Sequence, residues 1–135
     1  MKAKRIDHVV IAVQDLQAAL ETYQQNFGLE HVGGGEVPSL GIRNAFLQIG
    51  DAQLELITPL AAQGPVASFL AKQGQGGGMY LLALEVENLD DAIATLQAQG
   101  ARINSATGAA GQRLVFVSPR ATHGVLLQLL ERREA

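Results

Sequence analysis

The chain carries an internal repeat: shifted by 73 residues, IDHVVIAVQDLQAALETYQ at 6–24 falls on MYLLALEVENLDDAIATLQ at 79–97. Both segments contain an apolar strip with spacing i, i+3, i+4, i+7, the pattern of an amphipathic helix. The strip consists of Leu16, Ala19, Leu20 and Tyr23 in the first segment and of Leu89, Ala92, Ile93 and Leu96 in the second. Duplicated halves that pack around a shared cavity place equivalent residues at one site, so the repeat also indicates where function would lie.

Each half is predicted to contain the elements βαβββ in the same order. A strand at 5–13 precedes a helix at 16–27, which Asp15 caps and Gly28 ends. The other predicted elements are strands at 29–33, 43–50 and 52–58, a helix at 65–73, a strand at 79–86, a helix at 89–99 capped by Asn88, and strands at 101–104, 112–118 and 124–131. Because the helices are too far apart in sequence for a doubly wound parallel sheet, we expect an α+β fold with curled sheets and the helices outside.

The length fits one domain rather than two. We expect a single domain over 1–135, with repeat one at about 5–59, a linker at 60–78 and repeat two at about 79–131. The charged tail ERREA at 131–135 is expected to be solvated.

Two glycine triplets stand out, at 33–35 and 76–78. Neither is followed by the lysine and the serine or threonine of a phosphate-binding loop, so neither predicts a nucleotide site. We interpret them as hinge or linker glycines.

Composition argues against several function classes. The net charge of −3 and the pI of about 5.5 leave no basic surface for nucleic acid. No stretch approaches the roughly 20 apolar residues of a membrane span, and Asp7 and His8 interrupt the apolar run near the start, so neither a membrane nor a signal peptide is expected. The absence of cysteine excludes disulfides and thiolate chemistry and fits a reducing compartment. We therefore expect a cytoplasmic protein.

Four strand positions form the predicted site. His8 and Glu55 are 47 residues apart in the first half, and Leu81 and Gln128 are 47 residues apart in the second. His8, Glu55 and Gln128 are polar residues inside strands, where an unpaired buried polar group costs a few kcal/mol. The duplication thus predicts a site at His8, Glu55, Leu81 and Gln128.

Several blocks, in order along the chain, resemble the vicinal oxygen chelate superfamily, and most closely its methylmalonyl-CoA epimerase branch. The blocks are IDHVVIAVQDLQAALETY, FLQIGDAQLELITPL, GPVASFLAKQGQGGG, ALEVENLDDAIATLQAQGARI and VFVSPRATHGVLLQLLE. The resemblance implies two βαβββ repeats that form a U-shaped, open barrel-like sheet around a metal-binding cavity. It also implies pairing of the chains into a homodimer.

The resemblance assigns metal ligands residue by residue. His8 matches the histidine ligand of the first strand, and Glu55 matches the Gln or Glu ligand of the LxL-type strand. The third ligand is the second histidine of a GxHHxALEV-type stretch; this chain reads GMYLLALEV and has Leu81 there, with Tyr80 beside it. Gln128 stands where the pattern has a glutamate ligand in GVLLEL. These positions imply a divalent ion, Co, Ni, Mn, Zn or Mg, held by His8, Glu55 and Gln128, with Leu81 and Tyr80 as cavity wall.

The departures affect the chemistry that the resemblance implies. Epimerisation beside a thioester needs an acid/base group on each face of the α-carbon. The family's loop glutamate, in a stretch like VPEQGV, is replaced by Ser39 in VPSLGI, and its second group is replaced by Gln128. Neither side chain exchanges protons readily near pH 7, so epimerisation by the usual mechanism is not expected.

Two function classes therefore stay open. The first is an isomerase or lyase of the glyoxalase or epimerase type, acting on a small acyl or keto compound, possibly a CoA thioester, at a divalent metal. The second is a metal-free protein of the same fold that binds a small apolar molecule or confers resistance to it. In that case Leu81, Leu126 and Leu130 would line an apolar pocket, with His8 and Glu55 as its polar handle. The number of metal ligands discriminates between the two classes.

Overall fold

The structure is a computed structural model that describes residues 1–132. Within them the order strand, helix, three strands occurs twice, with one further helix between the two runs. The first run comprises β1 (Ala3–Val13), α1 (Leu16–Phe27), β2 (Glu30–Val37), β3 (Ile42–Ile49) and β4 (Ala52–Pro59), and α2 (Pro65–Gln73) follows it. The second run comprises β5 (Gly77–Val86), α3 (Leu89–Ala98), β6 (Ile103–Thr107), β7 (Arg113–Val117) and β8 (Leu127–Leu130). The predicted α+β class with two βαβββ repeats is confirmed.

The chain divides into two compact units, one of residues 8–80 and one of residues 1–7 with 81–132. In the first, the strands lie in the order β2-β3-β4-β1, with β4 and β1 parallel and the other neighbours antiparallel. In the second, the order is β5-β8-β7-β6, with β5 and β8 parallel. Each unit thus repeats one arrangement of hairpins closed by a parallel pair.

The core of the unit 8–80 lies between α1 and one face of the sheet. Alternate residues of the strands point to that face, as the period of two requires. Leu20 from the helix packs there with Leu47, Leu54 and Leu56 from the strands. His8 and Glu55 belong to the opposite alternation, so they lie on the face that α1 does not cover.

The other unit has an equivalent core around α3. Its buried residues are Val86, Leu89, Ala92, Val115, Val117 and Leu129. The apolar strip with helical spacing, which the sequence shows in both halves, therefore packs onto a sheet in both units.

The predicted caps of α1 and α3 and the predicted end of α1 are confirmed, whereas α3 ends at Ala98, one residue before its predicted end. Asp15 caps α1 through a hydrogen bond that its side chain accepts from the backbone N–H of Ala18 at 3.0 Å. Gly28 ends α1 in the left-handed conformation, at φ 66°. Asn88 caps α3 in the same manner as Asp15.

The interpretation of the glycine triplets as hinge and linker was wrong in part, because both triplets reach into strands. Gly34 lies within β2, where an added Cβ would be 2.3 Å from the backbone oxygen of Asn44 on β3. Gly77 opens β5, where an added Cβ would be 2.4 Å from the backbone oxygen of Ala12. Only glycine permits these close approaches of two backbones.

The expectation of a solvated tail is wrong for Glu131, which is half-buried, whereas Arg132 is exposed as expected. The Glu131 carboxylate accepts a hydrogen bond from the backbone N–H of Leu89 at 2.7 Å, at the start of α3. Arg132 donates two hydrogen bonds to Asp7, at 2.6 and 2.9 Å. Residues 133–135, the rest of the predicted solvated tail, lie outside the described part of the chain.

Candidate functional site

The structure brings His8 and Glu55 together on one face of the sheet in the unit 8–80. The parallel register places His8 opposite Gln53 and Val10 opposite Glu55, so the two side chains are diagonal neighbours on β1 and β4. The Nε2 atom of His8 is 3.1 Å from Oε1 of Glu55. Both residues are buried, with 4% of His8 and 7% of Glu55 exposed.

The approach of His8 to Glu55 is close but does not have the alignment of a hydrogen bond between Nε2 and the carboxylate. Two ligands in neighbouring positions of one metal ion, each about 2.1 Å from it, are about 3.0 to 3.4 Å apart. The separation of 3.1 Å between His8 Nε2 and Glu55 Oε1 falls in that range. An imidazole and a carboxylate that converge in this way fit two positions of a divalent ion.

Asn44 on β3 completes a polar group around Glu55. Its Nδ2 donates a hydrogen bond to Oε2 of Glu55 at 2.9 Å, and its Oδ1 accepts one from the backbone N–H of Gly35 at 3.0 Å. The sequence analysis missed Asn44. The available signal was an asparagine inside a predicted strand, since buried polar side chains in strands are paired with other groups.

Phe46 lies on the same face as Asn44 and Glu55. Its ring stands edge-on to the imidazole of His8, with centroids 6.2 Å apart and an interplanar angle of 82°. Phe46 also pairs with Glu55 across the antiparallel β3–β4 ladder. The aromatic ring therefore limits the directions that the His8 side chain can take.

Gln128 and Leu81 belong to the unit formed by residues 1–7 and 81–132. Gln128 lies on β8, where it is paired with Ala83 on β5 and with Phe116 on β7, and 6% of it is exposed. Leu81 on β5 is 4% exposed. Both are thus buried strand positions, as the duplication predicted, and their roles as ligand and cavity wall stay predictions.

Tyr80 has an aromatic partner in the unit 8–80. Its ring stands edge-on to Phe69 of α2, with centroids 5.1 Å apart. Burial raises the pKa of the Tyr80 phenol above its ordinary value of 10.0. The phenol therefore stays neutral near neutral pH.

Ser39 lies at the surface, in a single 3₁₀ turn (Pro38–Leu40) between β2 and β3. The other two histidines, His31 and His123, are also exposed. The Nε2 atom of His31 is 2.9 Å from the backbone oxygen of Gly33, and His123 occupies a turn at φ 60°. Among the three histidines, only His8 is placed in a buried polar group.

A second group of charges, which the sequence analysis missed, surrounds Asp7 in the unit of residues 1–7 and 81–132. Asp7 is 3% exposed and receives Arg132 at 2.6 Å and Arg5 at 3.0 Å. Arg5 also lies 3.4 Å from Glu85, which is 6% exposed. The hydrogen bond with Asp7 raises the pKa of Arg132, although burial opposes the shift. These opposite charges neutralise one another, so the group indicates stability rather than chemistry.

The donor set for a metal is small. Among residues 1–132, no three side chains of His, Cys, Asp or Glu are grouped as they would be around a metal ion. Amide or water oxygens would therefore have to complete the coordination of an ion at His8 and Glu55. Magnesium and similar hard ions commonly keep several waters in this way.

None of the helices in the described residues combines the length and the apolar character needed to cross a bilayer.

Comparisons with known proteins agree with the fold and the sequence blocks. A family model described as "Glyoxalase/Bleomycin resistance protein/Dioxygenase superfamily" matches residues 7–116. The protein YqjC of Bacillus subtilis, described as uncharacterized, is 36% identical over 130 residues, which cover 94% of this chain and 91% of that protein. The mitochondrial methylmalonyl-CoA epimerase of Bos taurus is 34% identical over 128 residues, which cover 93% of this chain and 73% of that protein.

A solved structure supports the same relationship. Methylmalonyl-CoA epimerase from Streptomyces coelicolor, as a variant in complex with 2-nitronate-propionyl-CoA, has a TM-score of 0.89 at 30% sequence identity. The match covers 98% of this chain and 100% of that one. Because the family model spans most of the chain and relatives above 30% identity match nearly all of it, the chain belongs to the glyoxalase/bleomycin resistance/dioxygenase superfamily, the vicinal oxygen chelate family that its sequence resembles.

Proposed function

We propose that the protein is an enzyme of the glyoxalase or epimerase type that acts on a small acyl or keto compound at a divalent metal ion. The observation that carries the proposal is the buried approach of His8 to Glu55 at 3.1 Å. The resemblance adds the amide oxygen of Gln128 as a third ligand. Waters or substrate oxygens complete the set.

The substrate class proposed is a CoA thioester. Relatives above 30% identity are named methylmalonyl-CoA epimerase, and the Streptomyces structure holds 2-nitronate-propionyl-CoA. A thioester carbonyl next to an acidic C–H develops negative charge on its oxygen when the proton leaves. A bound divalent ion supplies Lewis-acid stabilisation of that charge.

The residues of this chain have separate tasks in the proposal. His8 presents an imidazole nitrogen, and Glu55 presents a carboxylate that attracts a cation. The ring of Phe46, perpendicular to the imidazole, limits the directions in which the imidazole can turn. The buried ligand atoms of His8 and Glu55 interact more strongly with a cation than exposed ones would, because little water screens them.

The proposed reaction does not use the two acid/base groups of the epimerase pattern. Ser39 and Gln128, at the two positions of the epimerase acid/base groups, cannot exchange protons readily near pH 7. An isomerase or lyase step in which water takes the proton from the α-carbon and returns one suits this set better than two-base epimerisation.

A second candidate function rests on Leu81. A leucine in place of the third ligand, with Leu81 and Leu130 almost fully buried, suits an apolar pocket for a small molecule. In this second function, His8 and Glu55 are the polar groups of the pocket, and no metal is needed.

Metal binding separates the two functions. The purified chain is offered Co²⁺, Ni²⁺, Mn²⁺ and Zn²⁺, and the bound metal is measured by elemental analysis and isothermal titration. We expect about one ion per chain, lost in His8→Ala and retained in His31→Ala, which removes an exposed histidine of the same unit. Absence of bound metal under every loading would refute the metal enzyme and favour the metal-free binding protein.

A variant designed to gain metal affinity complements the loss of metal expected in His8→Ala. Leu81→His returns the imidazole that the family pattern has at this position. We expect the variant to bind Co²⁺ at least about tenfold more tightly than the wild type, because a third strong ligand replaces water. Unchanged affinity in a folded variant would remove Leu81 from the proposed site.

Substrate chemistry is tested by proton exchange. Methylmalonyl-CoA is incubated with the metal-loaded protein in D₂O, and loss of the α-proton is followed by NMR together with the stereochemistry at the α-carbon. We expect exchange that depends on His8 and runs faster than inversion, because no pair of acid/base groups flanks the α-carbon to remove the proton on one face and return it on the other. Inversion as fast as exchange would contradict the loss of two-group epimerisation.

The homodimer and the cytoplasmic location implied by the resemblance and the composition stay predictions. Light scattering on the purified chain at several concentrations tests the dimer. A mass of twice 14.3 kDa is expected if two chains pair.

A further inference from the structure

We infer that Asn44 is a positioning residue that holds the Glu55 carboxylate in the orientation facing His8. This inference deepens the proposed function and rests on it wherever metal affinity is concerned. Its geometric part concerns only the residues of the unit 8–80 and is testable without metal.

Asn44 links the backbone of β2 to the Glu55 carboxylate through two hydrogen bonds. The backbone N–H of Gly35 donates to Oδ1 of Asn44 at 3.0 Å, and Nδ2 of Asn44 donates to Oε2 of Glu55 at 2.9 Å. The other carboxylate oxygen, Oε1, lies 3.1 Å from Nε2 of His8. One oxygen of Glu55 is therefore held by the amide, while the second faces the imidazole.

The amide of Asn44 is fixed in this direction by the backbone. An asparagine side chain has one donor end and one acceptor end, and only the acceptor end can receive the N–H of Gly35. The donor end must then face Glu55. Because Asn44 is 7% exposed, water does not compete freely for either contact.

The glycines of β2 make the approach possible. An added Cβ at Gly34 would be 2.3 Å from the backbone oxygen of Asn44 and 2.8 Å from Cα of Ala45. A side chain at that position would push β2 away from β3 and break the contact between Gly35 and Asn44. The glycine-rich strand is thus part of what orients Glu55.

The positioning role predicts an effect on metal affinity that a purely structural role does not. Partners that orient a metal ligand typically change metal affinity by about 10- to 100-fold when they are removed. Asn44→Leu has a similar shape but offers neither hydrogen bond. We expect it to weaken Co²⁺ binding by about 10-fold or more.

Gln48→Leu is the matched control for Asn44→Leu. Gln48 is an amide on the same strand and the same face, and its Nε2 donates to the backbone oxygens of Gly50 at 2.7 Å and Ala52 at 3.1 Å. The substitution removes these two hydrogen bonds and the one that Gln53 donates to Gln48 at 3.1 Å, and none of the three involves Glu55. Its Co²⁺ affinity should stay within about threefold of the wild type, a change below 1 kcal/mol.

Crystal structures of the metal-free wild type and of Asn44→Leu give the second readout. We expect the separation between Glu55 Oε1 and His8 Nε2 to exceed about 4 Å in the variant, beyond hydrogen-bond and ion-pair reach. An unchanged separation, an unchanged affinity or an equal loss in Gln48→Leu would each overturn the inference.

The two proposals fail in different ways. If the wild type binds no metal, the proposed enzyme function fails, and the crystal structures alone decide whether Asn44 positions Glu55. If the wild type binds metal and Asn44→Leu binds it equally well, the positioning role fails while the proposed function stands.

Discussion

Gly34 has no room for a side chain, so a Gly34→Ala substitution measures how tightly β2 approaches β3. The added Cβ would lie 2.3 Å from the backbone oxygen of Asn44, in a backbone conformation with φ 136°. Real Cβ atoms essentially never come within 3.0 Å of such an atom, so the strands must separate by at least 0.7 Å, the difference of the two distances. Gly33, the neighbouring residue, has no atom within 4 Å of an added Cβ and provides the matched control.

The cost of Gly34→Ala follows from two contributions. Forcing extra volume into a packed region typically costs about 1–3 kcal/mol, and a backbone conformation reserved for glycine costs about 1–3 kcal/mol more. The reduced freedom of the unfolded chain offsets about 0.4–1 kcal/mol of this. We expect a net loss of roughly 1–5.6 kcal/mol, compared with the total stability of about 5–15 kcal/mol that is usual for a domain.

Urea unfolding followed by circular dichroism is the assay. Gly34→Ala should lower the midpoint with little change in the slope, and Gly33→Ala should stay within about 1 kcal/mol of the wild type. A loss in Gly34→Ala of under about 1 kcal/mol, or equal losses in both variants, would refute the close approach of β2 to Asn44.

Three further predictions concern stability. Burial raises the pKa of the Tyr80 phenol, so its contribution to the free energy of unfolding is fully present below pH 10 and is lost as the pH rises through the raised value. Tyr80→Phe should therefore flatten the fall of the urea midpoint in alkaline solution. An equal fall in the variant and in the wild type would contradict the burial of the phenol. Arg132→Met leaves the buried Asp7 with weaker pairing and should cost roughly 1–3 kcal/mol in urea unfolding, whereas Arg120→Met, at an exposed arginine, should cost less than about 0.5 kcal/mol. Asp15→Ala removes the cap of α1 and should cost about 1 kcal/mol in the same assay, and no loss would show that water replaces the cap.

The parts of the fold that sequence predicted correctly are those with local signals. The helix at 16–27 has an apolar strip, a capping Asp15 and a terminating Gly28, all within a short stretch, and the structure reproduces its bounds. Two apolar runs on either side of Gly50 and Asp51 predict the hairpin of β3 and β4, which the structure contains. Strand β2 was predicted too short, because its glycines carry no side chains and give no alternating pattern.

The candidate site was predictable only where the duplication extends to it. His8 and Glu55 were found because their spacing recurs in the second half of the chain. Asn44 has no such counterpart, and its contacts depend on a backbone N–H nine residues away and on a neighbouring strand. The pair of Asp7 and Arg132 is separated by 125 residues, and no local pattern predicts which charges meet over that distance.

The parallel pairing of β1 with β4 has a consequence for the order in which the site assembles during folding. Asn44 and Glu55 are 11 residues apart and meet across a single hairpin, whereas His8 is 47 residues from Glu55. Closing the longer loop costs about 1.3 kcal/mol more chain entropy by the logarithmic rule, and contacts of higher sequence separation form more slowly. The hairpin should therefore present an oriented carboxylate before β1 docks, and the imidazole should be the last of the three groups to arrive.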